Sequence, residues 1–317
     1  MEVSPSGSTV KSDHLFLSCD WGTSAFRLRL VRRHPLKVMD EYATAEGVQA
    51  VSRALTGASR RRAFLRILRR GVSALGVAHR PEIPLIISGM ATSNLGWRPM
   101  PYTRTPAQAD GGDLLMTEER LAGRRVRFVS GLRTHDDVMR GEEVELAGLF
   151  HSARRSLPDD CIVVLTGTHA KHVRLSRGVI AGFRTYPTGE LFALLCRHST
   201  LCGPAARGFS RSAFLSGVAA AKTLGLSATL FQARAGVIVG RLHSGRAADF
   251  LSGALIAAEL AALPRTGHVV LAAGSGLAMR YRLALRMLRR SRKLTVIAPR
   301  LVKHAVVAGH ALLLRTP

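Results

Sequence analysis

Acidic residues are scarce in this 317-residue chain: 21 Asp and Glu stand against 46 Lys and Arg, a formal net charge of +25. Lysine is scarcer still, confined to positions 11, 37, 171, 222, 293 and 303, so arginine carries nearly all the positive charge. Aromatics make up only 5% of the chain, which argues against the interleaved stacking platforms of a dedicated nucleic-acid binder. The arginines are also spread along the chain, with small clusters at Arg60–Arg62, Arg69–Arg70 and Arg289–Arg290. A coding bias toward Arg and Ala, together with anionic small substrates, accounts for the charge better than a polyanion partner does. No apolar run reaches the ~18 uncharged residues needed to span a bilayer. The most apolar stretch, Phe250–Leu263, carries Glu259 and reads as a buried helix. Cysteine is limited to Cys19, Cys161, Cys196 and Cys202, with no CxxC pair and no zinc spacing, as expected of reduced core thiols in a cytoplasmic protein. The first residues, MEVSPSGSTVKSD, lack a signal-peptide core and read as a short flexible tail.

What is present is an α/β chain with enough apolar residues, 47%, to build real cores. Leu15–Cys19 is an apolar strand, DWGTS a tight turn, and Phe26–Val31 alternates apolar and basic residues with the strand period. Val38–Thr44 predicts a third strand, Arg60–Leu75 an amphipathic helix, and Ile83–Ile87 a buried strand opening into a long loop, Ser88–Asp113. Arg125–Ser130 predicts a strand and Val138–Phe150 a helix, before the polar stretch Ser152–Asp160. A second β–turn–β unit then follows: Cys161–Leu165, the turn TGTHAK, His172–Leu175 and Val179–Phe183. Helices are expected over Gly189–Arg197 and Asp249–Leu263, and the end reads strand, Gly turn, helix, strand, helix from His268 to Leu314. The division is therefore a tail (1–14), an N-terminal lobe (15–155) and a C-terminal lobe (156–317), each lobe opening with a strand, a Gly-Thr turn and a strand.

The two turns, Asp20–Ser24 and Thr166–Lys171, are the places for chemistry. Such turns aim backbone N–H groups at one spot and form an anion site without a helix. Glycine lets a phosphate approach and Thr or Ser adds hydroxyl donors. Asp20 suits hydrated Mg²⁺, which prefers one or two carboxylates plus phosphate oxygens. GSGLA, at Gly274–Ala278 between a strand and a helix, is a third candidate nucleotide contact. His169, His172 and Cys161 lie close in sequence, but strand alternation spreads them over different faces rather than onto one metal.

Read in order, SCDWGTSAFRLRL, SGMATSNLGWRPMPY, DVMRGEEVELAGL, TGTHAKHVRLSRGVIAGFRTYPTGELFALLCRHSTL, FLSGALIAAEL and LAAGSGLAMRYRLAL resemble the 2-dehydro-3-deoxygalactonokinases, from about Phe16 to near the C-terminus. The resemblance implies the actin-like (hexokinase-like, ribonuclease H-like) ATPase fold, with two related lobes around a cleft. It implies ATP and Mg²⁺, and transfer of phosphate to the 6-hydroxyl of 2-dehydro-3-deoxy-D-galactonate in galactonate catabolism.

Carried over by residue, it assigns Asp20, Gly22, Thr23 and Ser24 to the first phosphate loop, with Asp20 toward the metal. Gly167, Thr168, His169 and Lys171 fall in the second loop, and Gly274, Ser275 and Gly276 in the adenosine loop. Thr166 and Ala170 depart from the family pattern, which usually has Pro and a small polar residue there, and Pro187 is also atypical. Asn94, Trp97, Arg98, Arg133 and Arg140 are candidates for the sugar acid, because Arg grips carboxylates bidentately. The base is expected at the start of the helix before the second phosphate loop, where Glu142 faces the substrate, Glu143 faces Arg140 or solvent, and Asp137 is the alternative. The expected partners are small molecules, with no membrane and no nucleic acid, and a homo-oligomer is compatible with the sequence. Two competing readings are a kinase of the same fold for another aldonate or keto sugar, and a non-catalytic polyanion-binding member.

Overall fold

The computed structural model describes residues 14–203, 208–290 and 293–315. The expected tail lies outside these residues apart from His14. One compact unit runs up to Ser152 and takes in the chain from His304, and the other is Ala153–Lys303.

In the first unit, β1 (Leu15–Trp21), β2 (Phe26–Arg32) and β3 (Lys37–Thr44) form an antiparallel meander. The near-continuous apolar run of β1 is buried on both faces, so β1 lies inside the sheet, whereas β3 is largely exposed and forms an edge. After α1 (Val48–Ala54) and α2 (Gly57–Ala74), β4 (Leu85–Gly89) returns parallel to β1. The long loop contains the short strands β5 (Thr103–Arg104) and β6 (Ala107–Gln108). β7 (Met116–Leu121) and β8 (Arg124–Val129) follow, giving the sheet order β3-β2-β1-β4-β8-β7. The apolar stripe of α2, including Phe64, Ile67 and Leu68, packs onto this sheet with Trp21, Phe26 and Phe128. Trp97 stacks on Phe64 with ring centroids 6.3 Å apart and meets Phe128 edge-on at 5.4 Å; each such pair adds about 1 kcal/mol beyond its buried area.

A small ribbon, β9 (Leu132–Arg133) and β10 (Val138–Met139), precedes α3 (Glu142–Ser152). The helix expected from Val138 therefore begins four residues later. Gly141 has φ +111°, outside helical space, and Glu142 and Glu143 turn back to accept from the backbone N–H groups of Arg140 and Gly141.

The second unit repeats the plan. β11 (Asp160–Leu165), β12 (Ala170–Ser176) and β13 (Val179–Tyr186) form the antiparallel meander. α4 (Thr188–His198), α5 (Arg211–Leu224), α6 (Leu226–Ile238) and α7 (Ala247–Leu260) come next. β14 (His268–Ala272), parallel to β11, α8 (Ser275–Leu288) and β15 (Lys293–Val296) complete the order β15-β14-β11-β12-β13. No helix is expected from the sequence over α5 and α6. Apolar periodicity is weak in α6, whereas α5 buries Ala213, Phe214, Gly217 and Val218 at helical spacing. Both are stabilised by packing on α7, α5 through Phe214 and Val218 with Ile256 and Leu260, and α6 through Ala233 with Phe250 and Leu251.

In each unit a meander of three antiparallel strands is extended from its first strand by two parallel strands. This 3-2-1-4-5 order, present twice, is the actin-like ATPase fold.

The last helix, α9 (Pro299–Leu313), begins in the second unit, and from His304 the chain belongs to the first. This departs from the expected assignment of all of 156–317 to one lobe. The cause is local. Gly148 of α3 and Gly309 of α9 let the two backbones touch, since a Cβ on either would run into the other helix's carbonyl oxygen. His310, fully buried, then links Ser18 of β1 (Nδ1 to Oγ, 2.8 Å) and Ser88 of β4 (Nε2 to Oγ, 3.0 Å). Burial pushes the His310 imidazole down to about 3, so it is held neutral.

Candidate active site

The first turn begins where β1 ends. Gly22 N donates to Ala25 O (2.9 Å), closing the turn over Thr23 and Ser24. Its carbonyls do not face solvent: Val48 N and Gln49 N, at the start of α1, donate to Gly22 O and Thr23 O (both 3.0 Å). Gly47 makes this possible, because a Cβ there would collide with the backbone of Thr23 and Ser24.

The second turn uses the same device. Glu190 N, in the first turn of α4, donates to Thr168 O (3.0 Å), and Gly189 lies so close that a Cβ would meet Gly167 O. His169 Nε2 pairs with Glu190 Oε2 at 2.7 Å, tying the turn to the same helix. His172 pairs instead with Glu259, so the two histidines are engaged on different faces. Lys171, expected in the loop, lies on β12 and is 3% exposed, with Nζ 3.4 Å from His169 O. The turn proper is therefore Thr166–His169. Both departures from the family pattern have a local account. Thr166 N donates to Ala272 O (3.1 Å), a bond proline could not make, and Ala170 is fully buried on β12, outside the turn.

Acids gather beside the first turn. Asp20, the penultimate residue of β1, lies 3.4 Å from Arg27. Burial raises its carboxyl above the ordinary range, with Glu142 adding to the rise and Arg27 and Arg29 opposing it. Glu142 opens α3 and accepts from Arg140 N at 3.0 Å. Glu143, expected to face Arg140 or solvent, is instead 1% exposed and accepts from Gly141 N at 2.7 Å. Burial, reinforced by Glu142, pushes it up to about 8. Glu145 joins the group: burial, then Glu142 and Asp20, push it up to about 8 as well. The sequence reading did not single it out, although its place one turn along the helix face from Glu142 is legible in EEVE. Asp137 is apart from this arrangement, in a turn where its backbone N–H donates to Thr134 Oγ1 and its own carboxylate accepts from Val138 N.

The sugar-acid candidates scatter. Asn94 is exposed, and Trp97 belongs to the aromatic core. Arg98 pairs with Glu119 at 3.1 Å. Arg133 lines a cavity of about 350 Å³ with Tyr102 and Asp137. Arg140 is buried and committed internally, with Nη1 donating to Thr92 Oγ1 (2.7 Å), Nη2 to Met100 O (3.1 Å), and its guanidinium 4.0 Å from the Tyr102 ring. It orders the long loop.

The second unit holds a cavity of about 550 Å³. Gly167 and Gly189 border it on the turn side, and Gly274, Ser275 and Gly276, at the start of α8, on the other. Phe192, Leu255, Ile256 and Leu277 make its wall apolar. It thus joins the second turn and the GSGLA loop in one nucleoside-sized pocket with helix N–H groups at its mouth.

The model of the family described as 2-keto-3-deoxy-galactonokinase matches residues 20–309. The chain belongs to this family of phosphotransferases. A probable 2-dehydro-3-deoxygalactonokinase of Rhizobium meliloti (strain 1021) is 36% identical over 287 residues, covering 85% of this chain and 88% of the relative. The 2-dehydro-3-deoxygalactonokinase of Escherichia coli (strain K12) is 35% identical over 213 residues, 64% of this chain and 70% of the relative. A crystal structure of a putative 2-dehydro-3-deoxygalactonokinase from Sinorhizobium meliloti superposes with a TM-score of 0.74 at 30% identity, covering 95% of this chain and 99% of that one. Among the described residues, no helix is long and apolar enough to cross a membrane.

Proposed function

We propose that the chain transfers the γ-phosphate of ATP to the 6-hydroxyl of 2-dehydro-3-deoxy-D-galactonate. The observation that carries this reading is the doubled device: two Gly-Thr turns, each seated on a helix N-terminus, with carboxylates beside the first and a nucleoside-sized cavity beside the second. The apolar wall of the cavity takes the adenine and ribose, and the N–H groups of α8 and of the Gly167–Thr168 turn take the phosphates.

Mg²⁺ fits the first turn. The donor set is carboxylate oxygen, and the charges of Asp20 and Glu142 oppose one another. Asp20 would hold a hydrated ion completed by phosphate oxygens, as Mg²⁺ prefers one or two carboxylates with water and phosphate. When bound, the ion supplies neutralisation of phosphate charge.

Phosphoryl transfer then needs a base for the attacking hydroxyl. Glu142 is assigned this role because it opens α3 beside Asp20. Glu143 turns into the protein, and Asp137 is held in its own turn. Arg133 is assigned to the substrate carboxylate, with Arg98 the alternative. Arg140 acts by positioning the loop. The test is an ATP-consumption screen with 2-keto-3-deoxy sugar acids, galactonate- and gluconate-derived epimers side by side. Mg²⁺-dependent ADP release with the galactonate-derived acid is expected, and turnover only on a neutral sugar would overturn the substrate assignment.

A further inference from the structure

Glu259 of α7 is a buried carboxylate that the proposed chemistry leaves unused. Its side chain is 1% exposed and accepts from three elements. Thr188 Oγ1 donates to Oε2 (2.5 Å), Tyr281 Oη donates to the same oxygen (2.7 Å), and His172 Nε2 lies 3.0 Å from Oε1. A carboxylate this deep is tolerated only when its oxygens are satisfied, and an apolar side chain of similar size would often be equally stable there. Stability alone therefore does not account for the arrangement.

What the network joins gives the account. Thr188 is the first residue of α4, adjacent to Gly189, which presses against Gly167 and Thr168 of the second turn. Tyr281 is on α8, whose first residues are Ser275 and Gly276. Thr188 and Tyr281 both line the nucleotide cavity, whereas Glu259 does not. One oxygen atom thus ties the phosphate-turn side of the cavity to its GSGLA side.

We infer that Glu259 is a positioning residue that fixes the separation of the two nucleotide-contacting loops through Thr188 and Tyr281, and so sets nucleotide affinity. This rests on the reading of the cavity as the ATP site. The His172 imidazole, tilted against Tyr186 at 4.5 Å between centroids, holds the other carboxylate oxygen and fixes its rotamer.

The experiment uses the full chain with three measurements on each variant: titration of a fluorescent non-hydrolysable ATP analogue, KM for the sugar acid, and melting temperature. Glu259→Leu should weaken analogue binding by about tenfold or more, the scale of losing charge-assisted hydrogen bonds. Its KM for the sugar acid should stay within about twofold, because the effect is local to the second unit. Glu259→Gln, which keeps an acceptor oxygen for Thr188 and Tyr281, should recover much of the binding. If Glu259→Leu does not fold, Thr188→Val against Thr188→Ser carries the test: Val should lose analogue affinity and Ser should keep it. Wild-type affinity in a folded Glu259→Leu protein would overturn the inference, as would equal losses for nucleotide and sugar acid. Wild-type protein that does not bind the analogue would overturn the ATP-site reading itself.

Discussion

The two Gly-Thr turns share one architecture and differ in charge. Each sits at the end of the first strand of its sheet, and each has at least one carbonyl capped by an N–H at the start of a helix, where a glycine presses against the turn. Around Asp20 the acids stand close: burial raises Asp20, Glu143 and Glu145, and the Glu142 charge adds to each rise. Around Gly167 the nearby acids are each satisfied, Glu190 by His169 and Glu259 by Thr188, Tyr281 and His172. A set of acids held above their ordinary range by burial and neighbouring charge is suited to a cation and to proton transfer. A satisfied one is suited to holding a shape. On the proposed reading, the same fold element serves chemistry in one unit and geometry in the other.

The largest effects should come from the crowded side. Glu142→Gln should reduce kcat by about three orders of magnitude, the range of a lost general base, with ATP and sugar-acid affinity nearly unchanged in binding titrations. A variant that retained most of its kcat would move the role to Glu145 or Asp137 and break the contrast. Asp20→Asn should lower kcat by about a hundredfold or more, measured with the melting temperature on one preparation. A fallen melting temperature with activity per folded molecule intact would reduce Asp20 to a turn residue.

The geometric side should respond differently. Gly189→Ala places a methyl against Gly167 O, which backbone must yield to accommodate. We expect KM for ATP to rise about tenfold, in line with overpacking costs of roughly 1–3 kcal/mol, and kcat to fall less.

The pH dependence of stability sharpens the same comparison, because the buried groups shifted to values between about 3 and 8 lie in the first unit. His310 sits at about 3 against an ordinary 6.5. The unfolded chain therefore takes up a proton that the folded one refuses, and stability falls as pH drops from about 6.5 toward 3, by up to ~1.4 kcal/mol per pH unit. Glu143 sits at about 8 against an ordinary 4.5. It stays protonated in the fold, so its contribution is present below pH 4.5 and is lost as pH rises through about 8. Denaturant titrations across pH should show His310→Gln flattening the acid limb and Glu143→Gln part of the alkaline one, the rest coming from Glu145.

The smallest effect is reserved for Arg98→Ala. The half-exposed pair with Glu119 is worth well under about 1 kcal/mol of stability, so a rise in KM for the sugar acid alone would mark Arg98 as a substrate contact.

Much of the candidate site was legible because it is local. DWGTS, TGTHAK and GSGLA are punctuated by Gly and Thr between apolar strands, and the structure places each at a strand end. What was not legible depends on residues far apart in sequence. Glu143 and Glu142 are neighbours in the chain, and the 3.6-residue period separates their faces but does not say which face is buried; Glu143's burial was decided by packing around α3. Arg140 looked like a carboxylate grip, yet Thr92, Met100 and Tyr102, about forty residues upstream, hold it inside. Gly47 and Gly189 could have been found: each lies about twenty residues beyond its turn, at the start of a helix.

The strand–turn–strand openings, the amphipathic helix α2, the family and hence the doubled actin-like plan can all be read along the chain, because they follow from local periodicity and from blocks specific to the family. Only the tertiary structure decided that α9 returns to the first unit, that Lys171 points inward, and that Glu259 joins Thr188, Tyr281 and His172. Those outcomes turn on which backbones approach closely enough to exclude a Cβ and on which buried polar atoms find partners, and both are properties of packed elements rather than of any segment alone.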